Sequence, residues 1–410
     1  VSTKNITIVN IIMLCYYLNR GDSMATDVVT VKNQKPGFFA NLSSSFGGII
    51  IGILMLFGGI SLLWWNEHNN VKNIKNVKEL RDQVIDVSSS EVKSENEGKL
   101  IATKGKLDYN ESVLSDDAFN ISVQTPVLVR TVEVYQWVEE SETNDDTTTY
   151  TYKKEWSEKL IDSSEFNTPT GHENPVDVKY ESERFETEET LKVGAFSLIS
   201  SFKSMLSADK NVAIDETLEL PEGYKIYNKY ITNSADTASP IVGDIRISYT
   251  KADYKEVSVL GKQIGDEIGD YTTKNNTNIK KIVDYATNGT GMINDIESAN
   301  KFSKWMFRIL GTLLIVIGVG AILGPITTLI GYIPFLGNVV NSVIGVISFL
   351  IGLGIALIVI AISWFAARPI IAICSLVGVA VIIFLLVTLV KKGKKEVPKA
   401  ETKQEETKTE

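Results

Sequence analysis

The sequence predicts an α+β integral membrane protein: four transmembrane helices, one N-terminal and three C-terminal, with a large β-rich extramembrane domain between spans 1 and 2. Three observations predict it. Residues 309–367 and 369–390 contain no Asp, Glu, Lys or Arg, a length of uncharged chain that belongs in lipid rather than water. A second apolar run, Phe46 to Trp65, lies far upstream. Between them, Asn66 to Lys304 is polar, with 43 acidic and 28 basic side chains, close to ordinary globular usage and long enough to bury its own core.

Each element follows in order. Residues 1–23 start basic at Lys4, are mostly apolar from Ile6 to Tyr17, and lack a small-residue cleavage site. They read as a leader from a misplaced start, with Met24-Ala25 the better one. Residues 24–45 are then a cytoplasmic N-terminal segment. Span 1, residues 46–65, has the length one helix needs to cross the hydrocarbon, and Trp64 and Trp65 close it as interfacial aromatics. Within it Gly48 and Gly52 form a GxxxG pattern, the candidate face for helix packing and homo-oligomerisation.

The domain at 66–304 reads as mostly β. Val127 to Val138 is rich in β-branched and aromatic residues, Ser141 to Asp146 is a polar turn, and Tyr150, Tyr152 and Trp156 alternate on one face, which predicts a hairpin. Ile245, Ile247 and Tyr249 alternate likewise, and after a turn near Asp253 the chain resumes at Val257 to Leu260, which predicts a second. Leu191, Ala195, Leu198, Ile199, Phe202 and Leu206 recur at helical spacing and predict an amphipathic helix.

Span 2 is placed at 305–323 and span 3 at 339–365, with Gly324, Pro325, Gly331, Pro334 and Gly337 marking a break between them. Arg368 and Pro369 make the next turn, and span 4 is 369–390. Lys391, Lys392, Lys394 and Lys395 follow it, either as an anionic-lipid contact or as a topology signal alone, and 391–410 is a disordered charged cytoplasmic tail. That cluster puts the C-terminus in the cytoplasm, and four spans put the N-terminus beside it. Lys72, Lys75, Lys78 and Arg81, just past span 1, argue the other way.

Composition narrows the chemistry. The acidic excess of the domain disfavours nucleic acid, which needs a basic surface. Cys15 and Cys374 both lie outside it, and His68 and His172 are far apart with no metal-ligand spacing around either. No catalytic residue, cofactor or metal site is expected.

Several strings in fixed order then resemble the transmembrane protein 43 family, also called LUMA. They are Lys35-Pro36-Gly37-Phe38-Phe39 with Leu42 and Ser43, Asn66-Glu67, Glu95 to Leu100 with Gly105 and Leu107, Val132 to Glu139, Tyr150 to Trp156, Gly171-His172-Glu173-Asn174-Pro175, Val242 to Arg246, and Trp364 with Arg368-Pro369. The resemblance implies a four-span protein with a luminal or extracytoplasmic domain and a role in membrane organisation rather than catalysis. It also implies self-association, with residence in the endoplasmic reticulum and inner nuclear membrane and a connection to lamin and emerin in animals. In a prokaryote the cytoplasmic membrane takes that place and neither partner exists.

The leading function is a non-enzymatic scaffold that touches membrane lipids, further copies of itself and other membrane or envelope proteins. A transporter would carry ionisable groups within its spans, whereas Arg308 and Arg368 are at span ends. An extracytoplasmic enzyme would draw on carboxylates such as Glu139, Glu140 and Asp244, or on His172, whose neighbours Gly171, Asn174 and Pro175 are turn formers that favour a structural role. The topology makes a direct prediction. Single cysteines at Ser115 and Ser234 should react with a membrane-impermeant maleimide in intact cells, and labelling only after lysis would reverse the orientation.

Overall fold

The computed structural model describes residues 27–32, 38–144, 147–331, 337–364 and 369–395. The 1–23 leader, Pro334, Arg368, the side chains of Lys391, Lys392, Lys394 and Lys395, and the tail beyond 395 lie outside the described residues. The principal elements are β1 (Asp27–Lys32), α1 (Phe38–Gln83), β2 (Leu100–Asp108), β3 (Val127–Asn144), β4 (Thr147–Ser157), β5 (Ile245–Lys251), β6 (Glu256–Ile264), α2 (Gly289–Gly331), α3 (Gly337–Trp364) and α4 (Pro369–Lys395). They divide into two compact units, one of residues 1–35 and 105–257, the other of 36–104 and 258–410.

The first unit is built on a twisted sheet ordered β1, β4, β3, β5, then Tyr230–Thr232 and Lys225–Tyr227. The predicted β3–β4 hairpin is present, in register from Val134↔Ser157 to Asn144↔Thr147. Alternation does the folding here. Leu128, Val132 and Val134 of β3 turn inward with Ile245, Ile247 and Tyr249 of β5 and Phe119 to make the core. Deep within the unit, Asp116 Oδ2 accepts from Arg130 Nη1 at 2.6 Å and from the Tyr249 hydroxyl at 2.6 Å. Burial first, and the bond to Asp116 second, push the Tyr249 phenol well above its ordinary range.

Two sequence expectations fail in this unit, each for a visible reason. β5 and β6 are strands, but they do not form a hairpin, because both edges of β5 are taken by β3 and Tyr230–Thr232. The helix expected over 191–206 is two short strands, Lys192–Val193 and Phe196–Leu198, followed by a 3-10 turn at Ser200–Met205. Gly194 at φ +61° makes the reversal between the strands, a conformation that favours glycine and interrupts a helix. Leu191, Leu198, Phe202 and Leu206 are still core. Their spacing marked burial, not helix.

β1 pairs antiparallel with β4 from Asp27↔Tyr152 to Lys32↔Thr147, so the segment expected across the membrane from the large domain contributes a strand to its sheet.

In the second unit the helices outrun the expected spans. α1 has 46 residues and α2 has 43, against roughly 20 needed to cross. Lipid-compatible stretches fall in Gly47–Gln83, Gly289–Ile326 and Val343–Trp364, with a shorter one at Leu376–Thr388 in α4. Beyond the apolar part, Val77 and Leu80 of α1 and Met292 and Ile293 of α2 form a core with Leu100, Ala102 and Leu260 of β2 and β6. Pro325 does not break α2, which continues to Gly331. Ala321 and Ile322, just before the proline, are seated against Gly52 of α1, and such neighbours let membrane helices carry a proline.

Glycine sets how closely the spans approach. A Cβ on Gly52 would lie 2.7 Å from the Gly318 carbonyl oxygen, one on Gly59 2.8 Å from that of Gly311, and one on Gly352 2.7 Å from Val316 Cγ2, whereas Gly58 faces open space. The small face of α1 is therefore filled by α2 of the same chain. Gly52→Leu should lower stability of the purified full-length chain by about 1–3 kcal/mol through overpacking, while Gly58→Leu should be near neutral. Equal melting temperatures for the two variants in detergent would contradict this packing. The labelling probes also change. Ser234 is buried with its hydroxyl on Asp244 Oδ2, so exposed Ser239 replaces it, and exposed Thr30 reports which side β1 occupies.

Candidate functional site

Where α1 leaves its apolar stretch, Asn66 and Glu67 follow Trp65, and Glu67 is fully buried. An isolated carboxylate cannot be buried at that depth, so it needs a cation and further donors. α2 supplies Arg308, whose Nε and Nη2 donate to Glu67 Oε1 and Oε2 at 2.5 and 2.8 Å. The last residue of α3, Trp364, donates its indole N–H to Glu67 Oε2. Asn66 Nδ2 donates to the Lys304 carbonyl at 3.1 Å, and the Arg308 guanidinium lies 5.1 Å from the Trp305 ring centre. Three helices thus meet at one polar knot, α1 and α2 at the edges of their apolar stretches and α3 at its C-terminus.

The knot fixes direction as well as contact. The C-terminal side of the α1 span, the N-terminal side of the α2 span and the C-terminus of α3 lie at one level, so α1, α2 and α3 alternate in direction. Below it, Leu63 sits against Gly311 and joins Ile315, Val319, Ala356 and Val359 in an apolar cluster. Above it, α1 and α2 stay in register through Asn73 Nδ2 to Asn300 Oδ1 at 3.4 Å and Arg81 Nη2 to Glu297 Oε2 at 2.5 Å. Lys301 Nζ adds a second ion pair to Glu297, at 2.7 Å.

The other singled-out residues are turned to structure. His172 is buried, stacked on Tyr152 at 3.8 Å between centroids and edge-on to Trp137 at 4.7 Å. Both ring nitrogens face partners, Nδ1 the Thr168 carbonyl at 2.8 Å and Nε2 Asp27 Oδ2 at 3.3 Å. The fold thus supplies two orienting partners, neither of them adjacent to His172 in sequence. Asn174 docks its loop on β3, accepting from Trp137 N–H at 2.7 Å and donating to the Trp137 carbonyl at 2.9 Å. Glu133 and Arg246, directly opposite in the β3–β5 register, form a two-pronged ion pair at 2.6 and 2.7 Å, with the guanidinium near the rings of Trp156 and Tyr230. Gly52 lies at the α1–α2 contact, and Gly48 is near its end, where an added Cβ would lie 3.9 Å from the Ala321 carbonyl oxygen.

The chain matches the family model described as Transmembrane protein 43 over residues 134–369. It belongs to the transmembrane protein 43 family. Transmembrane protein 43 of Rattus norvegicus is 26% identical over 377 residues, 87% of this chain and 93% of that protein. The Homo sapiens protein is 26% identical over 357 residues, 82% and 88%, and the Drosophila melanogaster homolog 26% over 347 residues, 80% and 91%. No solved structure matches. This is an integral membrane protein of that family. Asn66-Glu67, Arg308 and Trp364 stand at separate span ends, the first and last within family strings, and only the fold brings them together. The available signal was complementary charge at matching depth: an acid two residues past one span and an arginine at the head of the next.

Removing either charge leaves the other buried and unpaired. Glu67→Ala and Arg308→Ala should each cost about 3–5 kcal/mol, and the double variant should lose less than the sum. Thermal unfolding of the full-length chain in detergent checks the cycle, and strictly additive losses would show that the two charges do not act on one another.

Proposed function

We propose that the protein is a non-enzymatic scaffold in which packed spans hold the β-rich unit as a recognition platform for other membrane proteins. The observation that carries the reading is the Glu67–Arg308–Trp364 knot. Glu67 and Arg308, the charges at the ends of the first two spans, bind helix to helix instead of lining a route for solutes, which weighs against transport. His172 supports it too, since both its nitrogens are engaged within the fold and a general base needs one for its substrate. Residence in the endoplasmic reticulum or inner nuclear membrane, with lamin or emerin as neighbours, belongs to this proposal for an animal source; the cytoplasmic membrane replaces it for a prokaryotic one. Self-association is part of it as well, through a face other than Gly52, because that contact is filled within the chain.

Affinity recovery of the full-length chain from detergent-solubilised native membranes should return the same membrane proteins for wild type and His172→Gln, and that variant should complement a deletion strain. Normal expression and folding of His172→Gln with complete loss of complementation would bring the enzyme reading forward instead.

A further inference from the structure

Just past the knot, α1 and α2 border a cavity of about 330 Å³ whose lining includes Asn70, Ile74, Val77, Glu297, Lys301 and Lys304. All of these belong to one unit. Its volume is in the range of small-molecule sites. Its depth is set by the helices: Asn70 is one turn beyond Glu67, and exposed Trp64, Trp65 and Trp305 ring the same level, as aromatics do where hydrocarbon gives way to headgroups. The cavity therefore opens where lipid phosphates lie.

Its chemistry suits an anion. Asn70 is only 7% exposed, and its buried Nδ2 has no hydrogen-bond partner in the structure. A buried amide donor left unmade is destabilising, and it persists where something else supplies the acceptor. Lys301 and Lys304 add ammonium groups to the same wall. The one carboxylate present, Glu297, is already matched by Arg81 at 2.5 Å and Lys301 at 2.7 Å, so it does not leave the cavity negative. Ile74 and Val77 form an apolar side fit for the glycerol and upper acyl part of a lipid.

We infer that this cavity binds a phosphate group presented by a lipid headgroup, with Asn70 Nδ2 and the Lys301 and Lys304 ammonium groups donating to its oxygens. Arg81, one of the basic residues that follow span 1 at odds with the topology of the terminal lysines, then gains a local reason, since it neutralises the carboxylate beside the site.

The test uses the full-length chain in detergent, titrated with a fluorescent short-chain phosphatidic acid. Unlabelled phosphatidic acid, diacylglycerol and inorganic phosphate serve as competitors. Binding should saturate, be displaced by unlabelled phosphatidic acid and resist the other two. Asn70→Leu and Lys304→Gln should each weaken it by about tenfold or more, as loss of a hydrogen bond to a charged group does. Asn70→Leu should also melt at or above the wild-type temperature, since it removes an unpaired buried donor. The surface pair Lys301→Gln with Lys304→Gln repeats the test where Asn70→Leu does not fold. Unchanged affinity in these variants, or displacement by diacylglycerol, would overturn the site. Displacement by inorganic phosphate as effective as by lipid would overturn the headgroup and leave a free-phosphate site.

Discussion

A carboxylate with no access to water at the boundary of a membrane is the constraint on which the spans depend. Glu67 has that position, and charge cannot be held there unless its partners arrive together. Arg308 comes from the next helix and Trp364 from the one after, so the carboxylate is satisfied only when three separate segments are in place. This differs from apolar packing, which is tolerant of register. Lipid offers side chains as apolar an environment as a neighbouring helix does, so a polar knot supplies direction and depth that hydrophobicity alone cannot.

Below and above that level the two solvents are handled by different means. Within the apolar stretch, close approach rests on missing side chains: Gly52 on Gly318, Gly59 on Gly311, Gly352 on Val316. In the aqueous part, cohesion comes from alternation and from matched polar pairs across strands, as with Glu133 and Arg246, or within the core, as with Asp116, Arg130 and Tyr249. Each of these pairs leaves its charges engaged.

Sequence periodicity made the coarse architecture legible because each solvent writes its own pattern. Uninterrupted apolar runs marked the spans, and two-residue alternation marked the β3–β4 hairpin. What it could not reach was pairing between distant segments. β5 and β6 were both recognisable as strands, yet their partners depended on which edges were already filled. The stripe from Leu191 to Leu206 was read as helix because burial repeats at similar spacing in strand-turn-3-10 segments; Gly194 in its middle was the signal to the contrary. Pro325 misled for the opposite reason, since neighbours hold a helix that local propensity would end. The knot was invisible to any local rule, because Glu67 is 241 residues from Arg308 and 297 from Trp364 and each alone resembles an ordinary span-end residue. The Asn70 cavity was hidden in the same way, its two walls coming from opposite ends of the polar sequence.

α1 passes from lipid into water without a joint. Its 18 residues from Asn66 to Gln83 continue the span as one helix, a rod of about 27 Å at the usual rise, and their far end is bound by Val77 and Leu80 to α2 and to the sheet that holds β2 and β6. A span tilts to fit the thickness of its bilayer. Ten degrees of added tilt at the membrane boundary would therefore carry the tip of that rod sideways by roughly 5 Å. The thickness of the surrounding bilayer is in this way expressed as a lateral position of the sheet, by leverage alone and with no ligand required.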